Sequence, residues 1–284
     1  MNKQQLILIS AALATIAGLY FFGPTVATNK KPAAIAGADS SHGHGFHIDE
    51  YEQEALGRLS QERQRYIAGL EESVKRGDVK EQAIHVNHQL ARFWKDTVPN
   101  PLLHFNFTAK AAELDNNEKS LTFAAHSILG YLPYIQNQDE QTWLAEQGKT
   151  LFEKALILNP ANDSSIVGAG GCVMYGADAG KDGMMAGILK VREVAQRDST
   201  NLFAQYMLGI GGMVSKQYDK AAVRFEKVVK GQPNNLEALF KLAEVNELMG
   251  DKAKAISWYH VIYGKVAEPE MKTAIEKRIE ELKK

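Results

Sequence analysis

The stretch NLFAQYMLGIGGMVSKQYDKAAVRFEKVVKGQP, residues 201–233, decides the fold that we predict for this chain. Its apolar residues recur at the spacing of two short amphipathic helices with a tight turn between them. Numbered from Leu202, the unit has small residues at positions 8 and 20, an aromatic residue at position 24 and a proline at position 32; these are Gly209, Ala221, Phe225 and Pro233. Small residues let paired helices approach closely, and the aromatic residue fills the space between one pair and the next. Proline ends the second helix because it has no amide hydrogen to donate.

The unit recurs downstream. The marks at positions 8, 20 and 24 return 34 residues later as Ala243, Ala255 and Tyr259. Gly250 and Asp251 supply the turn inside this second unit, with Asp251 as the N-cap of the helix that follows. Two units in the same register therefore predict a repeat architecture.

Upstream of these units the period lengthens. The positions that end each second helix are separated by 44, 39, 34 and 34 residues; they are Asn116, Pro160, Ser199, Pro233 and Ala267. The excess of ten residues fits a polar loop at 133–142, and the excess of five fits a glycine-rich loop at 177–183. A stack of repeats tolerates such insertions because each unit packs only on its neighbours.

A period of 34 residues with these marks resembles the tetratricopeptide repeat (TPR). The resemblance covers residues 121–284, and the segments 118–125 and 187–201 are similar to membrane-anchored TPR proteins of Bacteroidota-type bacteria. It implies an all-α fold, a right-handed superhelical solenoid of antiparallel helix pairs. The sequence departs from the pattern where Ser199 and Ala267 replace proline and where Gly187 replaces alanine at position 20.

We predict six segments along the chain. Residues 1–5 are a cytoplasmic stub, 6–27 a transmembrane signal-anchor helix, 28–47 a flexible tether, 48–98 a helical hairpin, 99–269 the repeats and 270–284 a capping helix. The repeat units are 85–118, which matches the pattern poorly, and then 119–162, 163–201, 202–235 and 236–269.

Residues 6–27 carry no charge and are long enough to span a hydrocarbon core of ~30 Å. A signal peptide cleaved near Ala27 is the alternative, and it would leave a free periplasmic form. We favour the anchor because the apolar run is longer than a usual signal core. A short stub before such a segment usually stays in the cytoplasm. We therefore expect a single-pass protein of the inner membrane with its repeats in the periplasm.

Composition excludes several classes of function. The net charge of −1 implies no bulk attraction to nucleic acid, and no basic cluster suggests such a partner. The single cysteine, Cys172, excludes an internal disulfide, and its small apolar neighbours favour a buried side chain. No nucleophile–base pair or carboxylate pair points to catalysis. We predict a protein that is not an enzyme and that needs no cofactor.

Three histidines of the tether, His42, His44 and His47, are the candidates for a metal site. Clustered imidazoles bind Zn, Ni or Cu. A solvated linker is the favoured interpretation, because no cysteine or carboxylate set completes a coordination shell. We therefore predict no metal site.

Residues 48–76 form one predicted amphipathic helix, with Leu56, Ile67 and Leu70 on its apolar stripe. The stripe suits a coiled-coil seam, which would make a homodimer, or packing on the following helix as a capping hairpin. The hairpin is favoured because there are too few heptads and Arg63 interrupts the seam.

A predicted helix over residues 164–175 contains Gly168, Gly170 and Gly171. A phosphate loop would need a Lys-Ser/Thr pair and a preceding strand, and the sequence has neither there. The small residues therefore favour close packing of neighbouring helices or the close approach of a ligand.

The TPR family binds ligands through positions 2, 5, 9 and 12 of each first helix, on the concave face. On this resemblance the contact residues are Phe203, Tyr206, Ile210, Met213, Glu237, Phe240, Glu244 and Glu247, with Phe123 and Ser127 as upstream equivalents. Packing against the neighbouring helix is an equal alternative for Ile210. Aromatic and acidic contacts suit a peptide or protein segment with apolar anchors and some basic character.

The predicted function is a non-enzymatic scaffold or chaperone-like adaptor for protein–protein interaction at the inner membrane. Two alternatives remain open. One is a self-assembling structural protein of the envelope, and the other is a metal-binding protein that uses the histidine tether. The anchor and the repeats favour the scaffold.

Overall fold

The structure is a computed structural model that describes residues 46–76, 80–177 and 181–284. The described residues form thirteen α-helices and no strand. The first four are α1 (Ile48–Gly57), α2 (Gln61–Arg76), α3 (Lys80–Arg92) and α4 (Pro101–Asp115). The next four are α5 (Glu118–Tyr131), α6 (Gln138–Leu158), α7 (Asp163–Met174) and α8 (Lys181–Arg197). The last five are α9 (Leu202–Val214), α10 (Tyr218–Gly231), α11 (Leu236–Leu248), α12 (Lys252–Tyr263) and α13 (Pro269–Lys283).

The helices from α3 to α12 pack as five consecutive pairs. The pairs are α3/α4, α5/α6, α7/α8, α9/α10 and α11/α12. Each first helix from α5 onward packs on its own partner and on the second helix of the preceding pair, and α13 covers α12 at the end of the stack. This arrangement confirms the predicted all-α stack of helix pairs, in which each unit contacts its near neighbours.

The repeat marks lie where the helices of a pair approach most closely. Ala221 and Phe225 are fully buried, and a Cβ atom added to Gly209 would lie 2.5 Å from the Phe225 ring. A side chain on Gly209 would therefore collide with the Phe225 ring. The fold depends on glycine here because of this contact.

The glycines of helix α7 also allow close contacts, here with three neighbouring helices. A Cβ atom on Gly170 would lie 2.8 Å from the backbone oxygen of Gly187 on α8. Gly168 lies against the Phe152 ring of α6, and Gly171 faces Met207 of α9. These contacts account for Gly187, which departs from the alanine of the repeat pattern. They show that the glycines of α7 serve close helix packing, which was one of the two interpretations.

Side-chain caps fix where most of the paired helices begin. Six asparagines accept a hydrogen bond from a backbone N–H in the first turn; they are Asn100, Asn117, Asn137, Asn162, Asn201 and Asn235. Asp251 caps α12 in the same way, as predicted. Each such cap is worth ~1 kcal/mol. The carboxylate of Glu118 also accepts hydrogen bonds from Asn159 at 2.8 Å and from Asn162 at 2.6 Å, which ties one inter-pair loop to the next.

The prediction of one continuous helix over residues 48–76 is wrong. The helix is interrupted between α1 and α2. The side-chain amide of Gln64 donates hydrogen bonds to the backbone oxygens of Leu56 and Leu59 at 3.0 and 3.1 Å, which stabilises the interruption. The apolar stripe nevertheless packs inside the chain, because Ile67 is 1% exposed in a cluster with Leu90 and Trp94 among others. The capping hairpin is therefore the better interpretation of this stripe, and the homodimer stays a prediction.

The loop formed by the polar insertion at 133–142 is shorter than predicted. Gln138 already begins α6, so the polar insertion forms the turn Leu132–Tyr134 and then part of a longer helix. Residues 178–180 of the glycine-rich insertion lie outside the described residues.

The predicted anchor at 6–27 and most of the tether, including His42 and His44, also lie outside the described residues. His47 is described, and its side chain is exposed before the start of α1. None of the helices in the described ranges is both long and apolar enough to cross a membrane.

Candidate peptide-binding surface

Two concavities lie at junctions between the helix pairs. The first, which we call the large groove, has a volume of about 1030 Å³ and lies between α3 with its π-helical extension (Phe93–Thr97), α4 and α5. The second, which we call the tyrosine pocket, has a volume of about 300 Å³ and is formed by α5, α9, the residue after α7, the end of α10 and the start of α11. Helix α5 contributes residues to both.

The large groove occurs where the first pair lacks a repeat mark. The register that ends this pair at Asn116 puts Thr108 at position 24. Three of the four later pairs have an aromatic residue there, Phe152, Phe225 or Tyr259, and the α7/α8 pair has Val191. Thr108 lines the groove, and its hydroxyl donates to the backbone oxygen of His104 at 2.8 Å. Arg92 and His104 stand at positions 8 and 20 of this pair, and both line the groove as well. The open space therefore coincides with the loss of all three repeat marks.

The wall of the large groove carries an exposed aromatic side chain. Phe123 is 70% exposed on α5. Trp94 closes the opposite side; it is buried, and its indole N–H has no acceptor among the described residues. Arg92 and Asp96 supply charge of both signs at the rim. A large exposed apolar side chain beside a groove with a charged rim is typical of a surface that binds a partner.

The tyrosine pocket combines aromatic rings with one carboxylate. Its walls include Tyr175, Phe203 and Tyr206, and the hydroxyl of Tyr206 donates to Oε1 of Glu237 at 2.5 Å. The Tyr206 ring also meets the buried Phe225 ring at 5.6 Å. Burial raises the pKa of Tyr206, and the hydrogen bond to Glu237 raises it further, so the hydroxyl stays protonated.

His126 supports the pocket from α5. Its Nε2 atom is 2.7 Å from the Ser164 hydroxyl of α7, and its ring packs against Phe152 at 4.9 Å and Phe203 at 5.3 Å. Burial lowers the pKa of this imidazole, which keeps it neutral. His126 therefore positions Phe203 and links two consecutive pairs.

The structure brings three of the predicted contact residues together. Phe203, Tyr206 and Glu237 all line the tyrosine pocket. Met213 and Phe240 are half-buried and pack against the cores of their own regions. Of the upstream equivalents, both Phe123 and Ser127 line the large groove.

Three other predicted contacts have different roles. Ile210 is 4% exposed and belongs to the core, so it cannot meet a partner; packing, the alternative interpretation, is correct for it. Glu247 accepts hydrogen bonds from Tyr259 at 2.7 Å and from Arg278 of α13, so it holds the last helix in place instead of facing a ligand. Glu244 forms an ion pair with Lys241 at 2.8 Å on its own helix.

Tyr175 and His126 are among the pocket residues that the sequence analysis did not identify. Tyr175 follows the end of α7, outside the helical positions to which the contact rule applies. His126 lies on α5, and only the packing of α5 against α7 and α9 brings it to the pocket. No sequence signal marks either residue, because both depend on contacts between different pairs.

No protein-family model matches the chain, and no curated protein sequence matches it. Solved structures do. The chain is similar to MamA from Desulfovibrio magneticus RS-1, with 15% identity and a TM-score of 0.41 over 66% of this chain and 96% of that one. It is similar to YrrB, described as a TPR protein with an unusual peptide-binding site, with 15% identity and a TM-score of 0.40 over 74% and 97%. A TPR protein from Parabacteroides merdae matches with 16% identity and a TM-score of 0.40 over 78% and 86%.

The packing of the repeat marks agrees with the predicted repeat. Inside the α9/α10 pair, Gly209 at position 8 lies against the Phe225 ring at position 24, and Ala221 at position 20 lies against Gly212. The helix pairs therefore follow the tetratricopeptide-repeat pattern that residues 201–233 predict.

Proposed function

We propose that this protein is a non-enzymatic scaffold or chaperone-like adaptor that binds a peptide or protein segment along the first helices of its TPR stack. The observation that supports this proposal is the 70% exposure of Phe123 beside a groove of about 1030 Å³. The equivalent space between later pairs is filled by buried rings such as Phe152 and Phe225. An open space of this size with an aromatic wall suits the apolar anchor of a partner.

The proposal includes the position of the protein in the cell. Residues 6–27 hold it at the inner membrane as a single-pass protein, with the TPR stack in the periplasm. The uncharged run supports this placement. Protease added to spheroplasts should digest the repeats, and full protection with an intact inner membrane would contradict it.

A peptide-library selection with the full-length chain in detergent tests the binding role. Wild type, Phe123→Ala and Ile157→Ala are compared, because Ile157 is 79% exposed on α6, which is a second helix. We expect Phe123→Ala to weaken binding of the selected peptides by roughly tenfold, ~1.4 kcal/mol, and Ile157→Ala to leave it unchanged. Both variants should melt like wild type. Equal binding by all three proteins, or no binding at all, would overturn the proposal.

A further inference from the structure

The tyrosine pocket has a single charged group. Of the described residues that line it, Glu237 is the only carboxylate, and none is a lysine or arginine. The other polar walls are the side chains of His126, Gln232 and Asn235 and the hydroxyls of Tyr175 and Tyr206. Since the imidazole of His126 is held neutral by burial, the net charge of the pocket is negative.

Glu237 has no cationic partner in the part of the chain that the structure describes. Its Oε1 atom accepts from the Tyr206 hydroxyl, and no lysine or arginine in the described ranges forms an ion pair with it. The neighbouring carboxylates on α11 differ, because Glu244 pairs with Lys241 and Glu247 with Arg278. On α11, Glu237 is thus the carboxylate that a neutral hydroxyl orients and that can still form an ion pair with a ligand.

The aromatic walls favour the same kind of ligand. A cation over the face of a tyrosine or phenylalanine ring is attracted by the ring quadrupole, by about 0.5–2 kcal/mol depending on its solvation. Burial raises the pKa of Tyr175, and the nearby charges of Glu237 and Glu244 raise it further. The tyrosine hydroxyls therefore stay neutral at physiological pH, and a bound cation keeps both the carboxylate and the rings as partners.

The size of the pocket limits how much of a ligand it can hold. At about 300 Å³ it lies at the lower end of the range for small-molecule sites. This volume suits one long side chain more than a folded segment. Asn235, at the same pocket, caps α11 and donates to Oε1 of Gln232 at 2.9 Å, so these two side chains form a fixed polar wall.

We propose that the tyrosine pocket binds one lysine or arginine side chain of the peptide partner, with its charged end at Glu237 and its stem against Tyr206 and Phe203. This inference rests on the proposed function, since it names the residue class that the scaffold recognises. The large groove on the other side of α5 then receives apolar side chains. The two concavities together select a segment with separate basic and apolar anchors.

The test uses the full-length chain and the peptides selected against it. One selected peptide is prepared in three forms, with lysine, arginine or norleucine at the position under study, and titrated by calorimetry into wild type, Glu237→Gln and Glu226→Gln. Glu226 is an exposed carboxylate on α10, a second helix, and serves as the matched control. A further variant, Tyr206→Phe, is titrated in the same way; it keeps the aromatic ring and removes the hydroxyl that donates to Glu237.

We expect selection to enrich lysine or arginine at one position. Glu237→Gln should weaken the basic peptides about tenfold and leave the norleucine form unchanged, while Glu226→Gln changes neither. Tyr206→Phe should weaken the basic peptides less than Glu237→Gln. The advantage of the basic form should also shrink at high salt, because exposed charges are screened.

The outcomes separate the two proposals. Selected peptides without an enriched basic residue, or a basic preference that survives Glu237→Gln, would overturn the assignment of the pocket and leave the scaffold function standing. A failure to select any peptide would overturn both. Because Glu237 is exposed, Glu237→Gln should keep the melting temperature of wild type, so lost binding cannot be ascribed to unfolding.

Discussion

The α9/α10 pair carries the three repeat marks, and the α3/α4 pair carries none of them. In the register that ends at Asn116, positions 8, 20 and 24 of the first pair are Arg92, His104 and Thr108. In α9/α10 the ring of Phe225 is fully buried against Gly209. In α3/α4 the same position is Thr108, and a groove of about 1030 Å³ opens beside it. Intact repeat marks therefore accompany a closed core, whereas the pair without them borders a space that is large enough for a ligand.

The largest expected effect is on the ring that closes the regular pair. Phe225→Ala should lower the free energy of unfolding by about 4 kcal/mol, because it removes a fully buried aromatic side chain and leaves a cavity. Phe123→Ala, at the exposed ring of the groove, should change it by less than about 0.5 kcal/mol. Urea denaturation of both variants measures the difference. Similar losses would mean that Phe123 also belongs to a core.

The next effect concerns the glycine contacts of α7. Gly170→Val should lower the free energy of unfolding by about 3 kcal/mol, because its Cβ atom would meet the backbone oxygen of Gly187, which cannot move aside as a side chain can. Gly69→Ala is the control; its Cβ would have no neighbour within 4 Å, and alanine favours the helix by up to about 1 kcal/mol. Thermal melts of the two variants should shift in opposite directions.

The ion pair between Arg278 of α13 and Glu247 of α11 makes a smaller, pH-dependent contribution to the free energy of unfolding. Arg278→Ala should cost about 1–2 kcal/mol, because Glu247 is only 13% exposed and loses a charged donor. Burial tends to raise the pKa of Glu247, but hydrogen bonds from Arg278 and Tyr259 outweigh it and leave the pKa below its ordinary value of 4.5. The stabilisation is therefore fully present above pH 4.5 and is lost as the pH falls through the lowered pKa. Melting curves of wild type and variant should converge in acid, and a constant gap would contradict this role.

The smallest predicted effect compares two caps. Asn235→Ala should cost about 1 kcal/mol for the lost cap of α11. Asn162→Ala should cost more, because the Asn162 amide also donates to Glu118 across the loop at 2.6 Å. Denaturant midpoints would show the order, and equal losses would mean that the bridge to Glu118 contributes nothing to stability.

The sequence predicts the parts of this molecule that depend on contacts within one pair. Gly209 meets Phe225 and Gly212 meets Ala221 across a single turn, so the spacing of these residues was enough to predict the repeat. The break between α1 and α2 could not be predicted, because the apolar stripe continues on both sides of it and the hydrogen bonds of Gln64 are visible only in three dimensions.

The candidate site was predicted less completely, since its residues come from several pairs. The position rule places Glu247 on the expected face of α11, but it cannot show that Arg278 of the capping helix occupies that carboxylate. It likewise cannot show that Ile210 turns into the core or that Tyr175 reaches the pocket from a turn. These contacts join different pairs, so the spacing of residues within one pair does not predict them.

The most direct test of ligand binding in the large groove is to fill the space beside Thr108 with a larger side chain. Peptides selected against the full-length chain are titrated by calorimetry into wild type, Thr108→Phe and Thr108→Val, the last with a side chain of nearly the same shape as threonine. We expect Thr108→Phe to stay folded and to bind the selected peptides at least about tenfold more weakly, and Thr108→Val to bind them like wild type. A folded Thr108→Phe protein that binds the same peptides with unchanged affinity would contradict ligand binding in the large groove.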